Sequence, residues 1–307
     1  MPTLVLTAGV EAQARYWEFF GATIRSRHTR RAYRRAIEDF LGFCADRGAE
    51  NLVDLTPLHV GAWVEGLGRT HEPATVKARL AAVRSYGDWI TASHIIPYNP
   101  AAPVRGPRHV VRRGNTPALS REDARRLVQA IDVSSVVGLR DRALVGVMLY
   151  ALARVGAAVG LRVGDLERRE RALWLRLREK GGRIHETPAS RALEGWLLEY
   201  VEAAGIAEDR AGPLFRSTTG RSRSLTPRPL LARNAYDMIR RRTRDAGLDA
   251  EIGCHSLRAT GITLFLDAGG ALETAQALAG HASPRTTQLY DRRGDAIAVA
   301  EVERIVL

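Results

Sequence analysis

Six side chains in the second half of the chain suit work on a phosphate: Arg154, Lys180, His255, Arg258, His281 and Tyr290. Two guanidiniums, Arg154 and Arg258, can stabilise a phosphodiester as its phosphorus becomes five-coordinate. They would do so through directional, charge-assisted hydrogen bonds. A tyrosine phenol, with a pKa of about 10, needs help to lose its proton before it can attack. An ammonium such as Lys180 suits proton donation to a departing oxygen. Taken singly, each residue has an ordinary reading. Arg154 reads as a surface salt-bridge arginine and Lys180 as a solvated turn residue. His255 reads as a structural histidine or helix start, and His281 as the residue after a glycine helix cap at Gly280. Tyr290 reads as a packing tyrosine. Only their occurrence together points to chemistry.

Local patterns say how such a set would be positioned. His255 and Arg258 are three apart, so on a helix they share a face. That helix is expected from about Ser256 to Ala268. Another spans Leu272 to Ala279, with Gly280 ending it before His281. Ser283-Pro284 can cap and open a further helix, putting Tyr290 about two turns in. Leu173, Leu175 and Leu177 alternate with Trp174, Arg176 and Arg178, which is strand periodicity. Gly181-Gly182 then turns the chain into a return strand containing Ile184, with Lys180 at the hairpin tip. The Ser/Thr/Arg-rich stretch after Phe215 reads as a loop. Helices are also expected over about 139–153, 157–161, 193–203 and 229–246.

The first part of the chain reads as a small helical domain, residues 1–98. Its first clear helix runs from about Thr29 to Asp46, with Tyr33, Ile37, Phe40 and Leu41 on the apolar face. Arg27, Arg30, Arg31, Arg34 and Arg35 crowd its start, which opposes the helix dipole. They read either as a solvated face or as contacts for an outside anion. Thr56-Pro57 opens the next helix, and another covers about Ala74 to Ile90. Residues 99–118 contain four prolines and several basic residues, and read as a basic linker. Residues 119–307 form the second domain, opened by a capping position at Ser120. The fold class expected is mainly α with two domains: a helical one, and a mixed α/β one with a small antiparallel sheet. No alternating strand–helix series suggests a doubly wound fold.

The formal net charge is +12, from 46 basic and 34 acidic residues among 307. An excess of this size favours a polyanion partner, double-stranded DNA being the commonest bulky one. An arginine-rich soluble protein would show the same balance. Cys44 and Cys254 suggest neither a disulfide framework nor a cysteine zinc site. The start of the chain lacks signal-peptide character, and no stretch is long and uncharged enough to span a membrane. No membrane partner and a cytoplasmic location are therefore expected. Nothing calls for a cofactor or a bound metal.

Taken in order, the motifs resemble the tyrosine recombinase, or phage integrase, family, from about Ala12 onward. They are ALARVGAAVGLRVGDL (151–166), REKGGR (178–183), HSLRAT (255–260) and LAGHASPRTTQLY (278–290). HTRRAYRRAIEDFLGFC (28–44) resembles the opening of the family's core-binding domain. The resemblance implies that Arg154, Lys180, His255, Arg258, His281 and Tyr290 are the catalytic set. Tyr290 would be the nucleophile, His255 the proton acceptor, His281 a phosphate contact and Lys180 the proton donor. It implies a 3′-phosphotyrosyl link, strand exchange through a four-way junction, and four protomers on paired DNA sites. It implies clamping of the duplex by the two domains, and a tail after Asp295 that docks on a neighbour or on its own domain. The simpler architecture, without an arm-site domain, resembles chromosome-dimer resolvases and mobile-element recombinases. One departure stands out: the family commonly has an acidic residue three positions after the first arginine, and here that position is Ala157.

Four other readings compete. A type IB topoisomerase would use similar groups, and a degenerate relative would only bind DNA. A metal nuclease lacks an acidic cluster here, and a serine hydrolase lacks a G-x-S-x-G elbow. The compact box from His281 to Tyr290 favours the recombinase.

Overall fold

The structure is a computed structural model, and it describes residues 1–108, 114, 116–220, 224–248, 251–281 and 283–291. Two compact units divide the chain, Met1–Val110 and Val111–Leu307. The division falls within the expected linker. The tail expected after Asp295 lies outside the described residues.

The first unit is helical: α1 (Thr3–Thr7), α2 (Val10–Glu18), α3 (Arg27–Ala45), α4 (Pro57–Gly68) and α5 (Pro73–Ala92). α3 buries Ile37, Phe40, Leu41 and Cys44, one stripe at helical spacing. Ser26 caps it by accepting the Thr29 N–H at 3.4 Å. Thr56 caps α4 reciprocally with His59, and Pro57 takes the first helical position. The core is aromatic, with Tyr16 edge-on to Phe20 at 5.1 Å and Phe40 edge-on to Trp63 at 5.2 Å. The arginines at the start of α3 divide. Arg30 donates to the Ile24 carbonyl at 2.8 Å and Arg34 pairs with Glu38, while Arg27, Arg31 and Arg35 stand exposed. Asn99, at the start of the expected linker, is buried and donates to the Arg84 carbonyl of α5 at 3.0 Å.

The second unit runs α6 (Arg121–Gln129), α7 (Val136–Tyr150), α8 (Val155–Val159), β1 (Leu166–Arg169), β2 (Ala172–Arg178) and β3 (Ile184–Pro188). It continues with α9 (Arg191–Ala203), β4 (Arg216–Thr218), β5 (Leu225–Pro229), α10 (Ala232–Asp245), α11 (Cys254–Asp267), α12 (Leu272–Ala279) and α13 (Pro284–Gln288). α7 is apolar nearly all round and packs against both α9 and α11. Gly261 makes the α7–α11 contact possible: a Cβ there would stand 2.0 Å from the Leu149 carbonyl oxygen. A buried ion cluster ties α7 to α10, with Asp141 accepting from Arg140 at 2.6 Å and from Arg242 at 2.8 Å.

The mainly helical class with a small antiparallel sheet is what the chain adopts, but the sheet content is richer than expected. The β2–β3 hairpin is joined by β1, giving the order β1-β2-β3. β1 reads LERR, with a single apolar residue to reveal it. The stretch after Phe215, expected as a loop, contains the antiparallel pair β4–β5. Its strands are short, polar and carry Pro227 and Pro229, so neither alternation nor propensity marks them.

Candidate active site

α11 supplies the deepest part of the site. Arg258 lies on its inner face with 1% of its surface exposed. One guanidinium nitrogen donates to the Leu152 carbonyl and another to the Ala279 carbonyl at 2.6 Å. Leu152 sits at φ 50, a left-handed conformation costly for a branched side chain. That strained residue is the one whose carbonyl receives Arg258. The Arg258 Nε has no partner among the described residues. Burial, with Arg154 nearby, brings its pKa down to about 10, so it stays charged at neutral pH.

Arg154 occupies the N-cap position of α8 with an extended backbone and no side-chain capping bond, two residues after Leu152. Its side chain is 42% exposed and donates to Glu179 at 2.6 Å. Glu179 stands at the end of β2, immediately before the turn Lys180–Gly182. Gly181 and Gly182 make that turn at φ 83 and φ 80. The backbone thus holds Lys180 at the tip of the hairpin next to Arg154's partner, as expected. The Lys180 side chain lies outside the described residues.

Gly280 ends α12 in the left-handed conformation, φ 59. His281 follows it, buried, with Nδ1 2.8 Å from the Thr287 hydroxyl. The position of Tyr290 differs from expectation. α13 is only five residues long, and Tyr290 lies in the turn after it rather than two turns inside it. Its N–H bonds the Thr287 carbonyl at 2.9 Å, and its carbonyl accepts from Thr263 on α11 at 3.2 Å. The preceding carbonyl, of Leu289, accepts the Gly114 N–H at 2.9 Å. Tyr290 is 8% exposed. Its hydroxyl lies 3.1 Å from His255 Nε2, and its ring stacks on His281 at 5.9 Å, 13° from parallel.

Five of the six expected residues therefore share one place, with the hairpin tip beside them. Arg258 and Arg154 both act electrostatically on His255, His281 and Tyr290. Burial holds His255 below its ordinary value, reinforced by the two arginines. His255 is exposed as a residue, whereas the tyrosine it meets is buried, so their contact is partly screened from solvent. Burial and the same cations bring His281 down to about 4. Burial raises Tyr290, and the arginines oppose that rise. A cavity of about 470 Å³ opens beside the site, lined by Arg154, Arg258, His255 and Tyr236 among others. No group of three metal-ligating His, Cys, Asp or Glu side chains occurs among the described residues, nor does a helix long and apolar enough to cross a membrane. Glu179, Thr263 and Thr287 escaped sequence reasoning. The signal for Glu179 was an acid in an otherwise basic hairpin; the threonines carry none.

The comparisons with known proteins follow this geometry. The phage integrase family matches residues 117–296, and the phage integrase N-terminal SAM-like domain matches residues 14–94. A tyrosine recombinase XerC of Escherichia coli O127:H6 is 28% identical over 266 residues, covering 84% of this chain and 83% of the relative. The XerH site-specific recombinase in a post-cleavage complex with palindromic difH substrate has a similar fold. Its TM-score is 0.72 at 16% identity, covering 99% of this chain and 96% of that one. A lambda integrase (75-356) dimer bound to a COC′ core site gives 0.68 at 19% identity, covering 93% and 96%. The chain belongs to the phage integrase family, the tyrosine recombinases.

Proposed function

We propose that this protein is a site-specific DNA recombinase that cuts and rejoins duplex DNA through a covalent bond to Tyr290. The observation that carries the reading is the 3.1 Å approach of the Tyr290 hydroxyl to a His255 held in its neutral form. The phenol, raised by burial, keeps its proton until a base is in place, and His255 Nε2 is that base. Arg258 and Arg154 bind the non-bridging oxygens of the scissile phosphate, with His281 adding a hydrogen bond.

Tyr290 Oη forms a bond to phosphorus as the bond to the 5′ oxygen breaks. Its proton passes to His255, and Lys180 protonates the leaving 5′ oxygen. The products are a 3′-phosphotyrosyl link and a free 5′ hydroxyl. The phosphotyrosine keeps the bond energy that hydrolysis would release. A 5′ hydroxyl from a second duplex then attacks phosphorus and frees Tyr290. Two such rounds pass through a four-way junction. Lambda integrase has been solved as a tetramer bound to a Holliday junction, and we assign the same kind of assembly to this chain. The partners are double-stranded DNA with paired sites and further copies of this chain or a related recombinase. The working compartment is the cytoplasm, alongside the DNA.

The test is a nicked suicide duplex library, incubated with wild type and Tyr290→Phe. Wild type is expected to become covalently attached to DNA, and Tyr290→Phe to bind without attachment. Equal attachment by both would defeat the nucleophile assignment. Efficient relaxation of a supercoiled plasmid, with no junction formed on paired trapped sites, would replace recombinase with topoisomerase.

A further inference from the structure

We infer that Glu179 is the positioning residue of Arg154, acting from the β2–β3 hairpin in place of an acid on α8. The inference rests on the recombinase reading above. The acid and the arginine differ sharply in exposure. The Glu179 side chain is 6% exposed, whereas that of Arg154 is 42% exposed, and they are 2.6 Å apart. The carboxylate therefore supports the guanidinium from the protein side. The open side of Arg154 lines the cavity beside Arg258 and His255, from which a phosphate would approach. A phosphate arriving there has no need to displace Glu179.

Residue 157 cannot do this work. It is an alanine, 5% exposed and part of the apolar core beneath α8. Without some acid, two guanidiniums in one small site repel each other, and Arg154 has the exposure to swing into solvent. The charge of Glu179 is felt at both cations: it pairs with Arg154 and opposes the lowering of Arg258. The Glu179 Oε1 atom is buried without a hydrogen-bond partner among the described residues. Its backbone is also fixed, since the Glu179 N–H bonds the Arg183 carbonyl at 2.8 Å and closes the hairpin. Arg154 is thereby oriented by the same turn that carries Lys180. The turn fixes the backbone of Arg154's acceptor before DNA arrives, which is preorganisation in the sense that counts for rate.

The test is single-turnover cleavage of a nicked suicide duplex, with the Kd for the same duplex measured in parallel. Glu179→Gln is expected to slow cleavage about ten- to hundredfold, as loss of an orienting partner does elsewhere, and to leave Kd unchanged. Glu179→Asp is expected to recover part of the rate, and it carries the comparison if Glu179→Gln does not fold. In an Arg154→Ala background, Glu179→Gln is expected to slow cleavage no further, because the two act as one unit. Wild-type rates for Glu179→Gln and Glu179→Asp would overturn the inference alone. So would a loss that multiplies with that of Arg154→Ala, or one that appears as weaker DNA binding at an unchanged rate. Absence of any wild-type adduct would overturn the recombinase reading and this inference with it.

Discussion

The two walls of the site hold an arginine each, by opposite means. On the α11 wall, Arg258 is buried and tethered to two backbone carbonyls from separate segments. On the hairpin wall, Arg154 is half open to solvent and held by one carboxylate. The first is rigid because the fold would have to open to release it. The second keeps its place only while a single charged partner does. A phosphate between them would meet one immovable donor and one adjustable donor. Removing either should cost rate, and each leaves buried acceptors behind: two backbone carbonyls in the first case, the Glu179 carboxylate in the second.

The largest expected effect on that contrast comes from Arg258→Ala. Loss of one preorganised donor should slow cleavage by about 10²- to 10³-fold. The orphaned Leu152 and Ala279 carbonyls should add roughly 1–3 kcal/mol of destabilisation. Chemical denaturation alongside single-turnover cleavage reads both, and an unchanged unfolding midpoint would show that the tethers do not stabilise the wall. Gly261→Ala comes next, because it disturbs the rigid wall without touching a charged group. The added methyl meets the Leu149 carbonyl at 2.0 Å and must push α11 from α7. The expected cost is about 1–3 kcal/mol, with slower cleavage because Arg258 moves with α11. Wild-type stability would mean that the α7–α11 packing is looser than this geometry.

The smallest effect is in the pH profile. His255 is held below 6.5, so its neutral, proton-accepting form is already dominant at neutral pH. Cleavage should be flat there and decline only as acidification protonates His255, below pH 6.5. Arg154→Gln removes one of the cations that lower His255, so the decline should begin at higher pH. A decline already under way above pH 7 in wild type would contradict the electrostatics of both walls.

How much of this was legible beforehand depends on the kind of signal. Leu173, Leu175 and Leu177 announced β2, because one buried face imposes a period of two. The caps at Thr56 and Ser120 were legible because capping is local, whereas Ser26, which caps α3, was not read as one. The four-residue β1 and the β4–β5 pair were not, since their pairing partners supply what their own residues lack. In the site, motif order located Arg154, His255, Arg258, His281 and Tyr290. The helix expected to carry Tyr290 stops two residues short of it, because a tertiary bond from Thr263 holds the turn instead of further helical bonds. Glu179 was invisible as a partner because its bond to Arg154 spans 25 positions. Ala157 looked like a gap in the site when only neighbours along the chain were considered.

The bond from Gly114 to Leu289 has a bearing on synthesis. It pins the residue beside Tyr290 to a segment from the start of the second unit. Every other residue of the site precedes Tyr290 in the chain, and each has emerged from the ribosome before it. A nascent chain therefore carries the arginines and the histidines while it still lacks Tyr290, the nucleophile proposed above. On the proposed function, the group that would cut is the last of the site to be made, and it is seated against the first segment of the second unit.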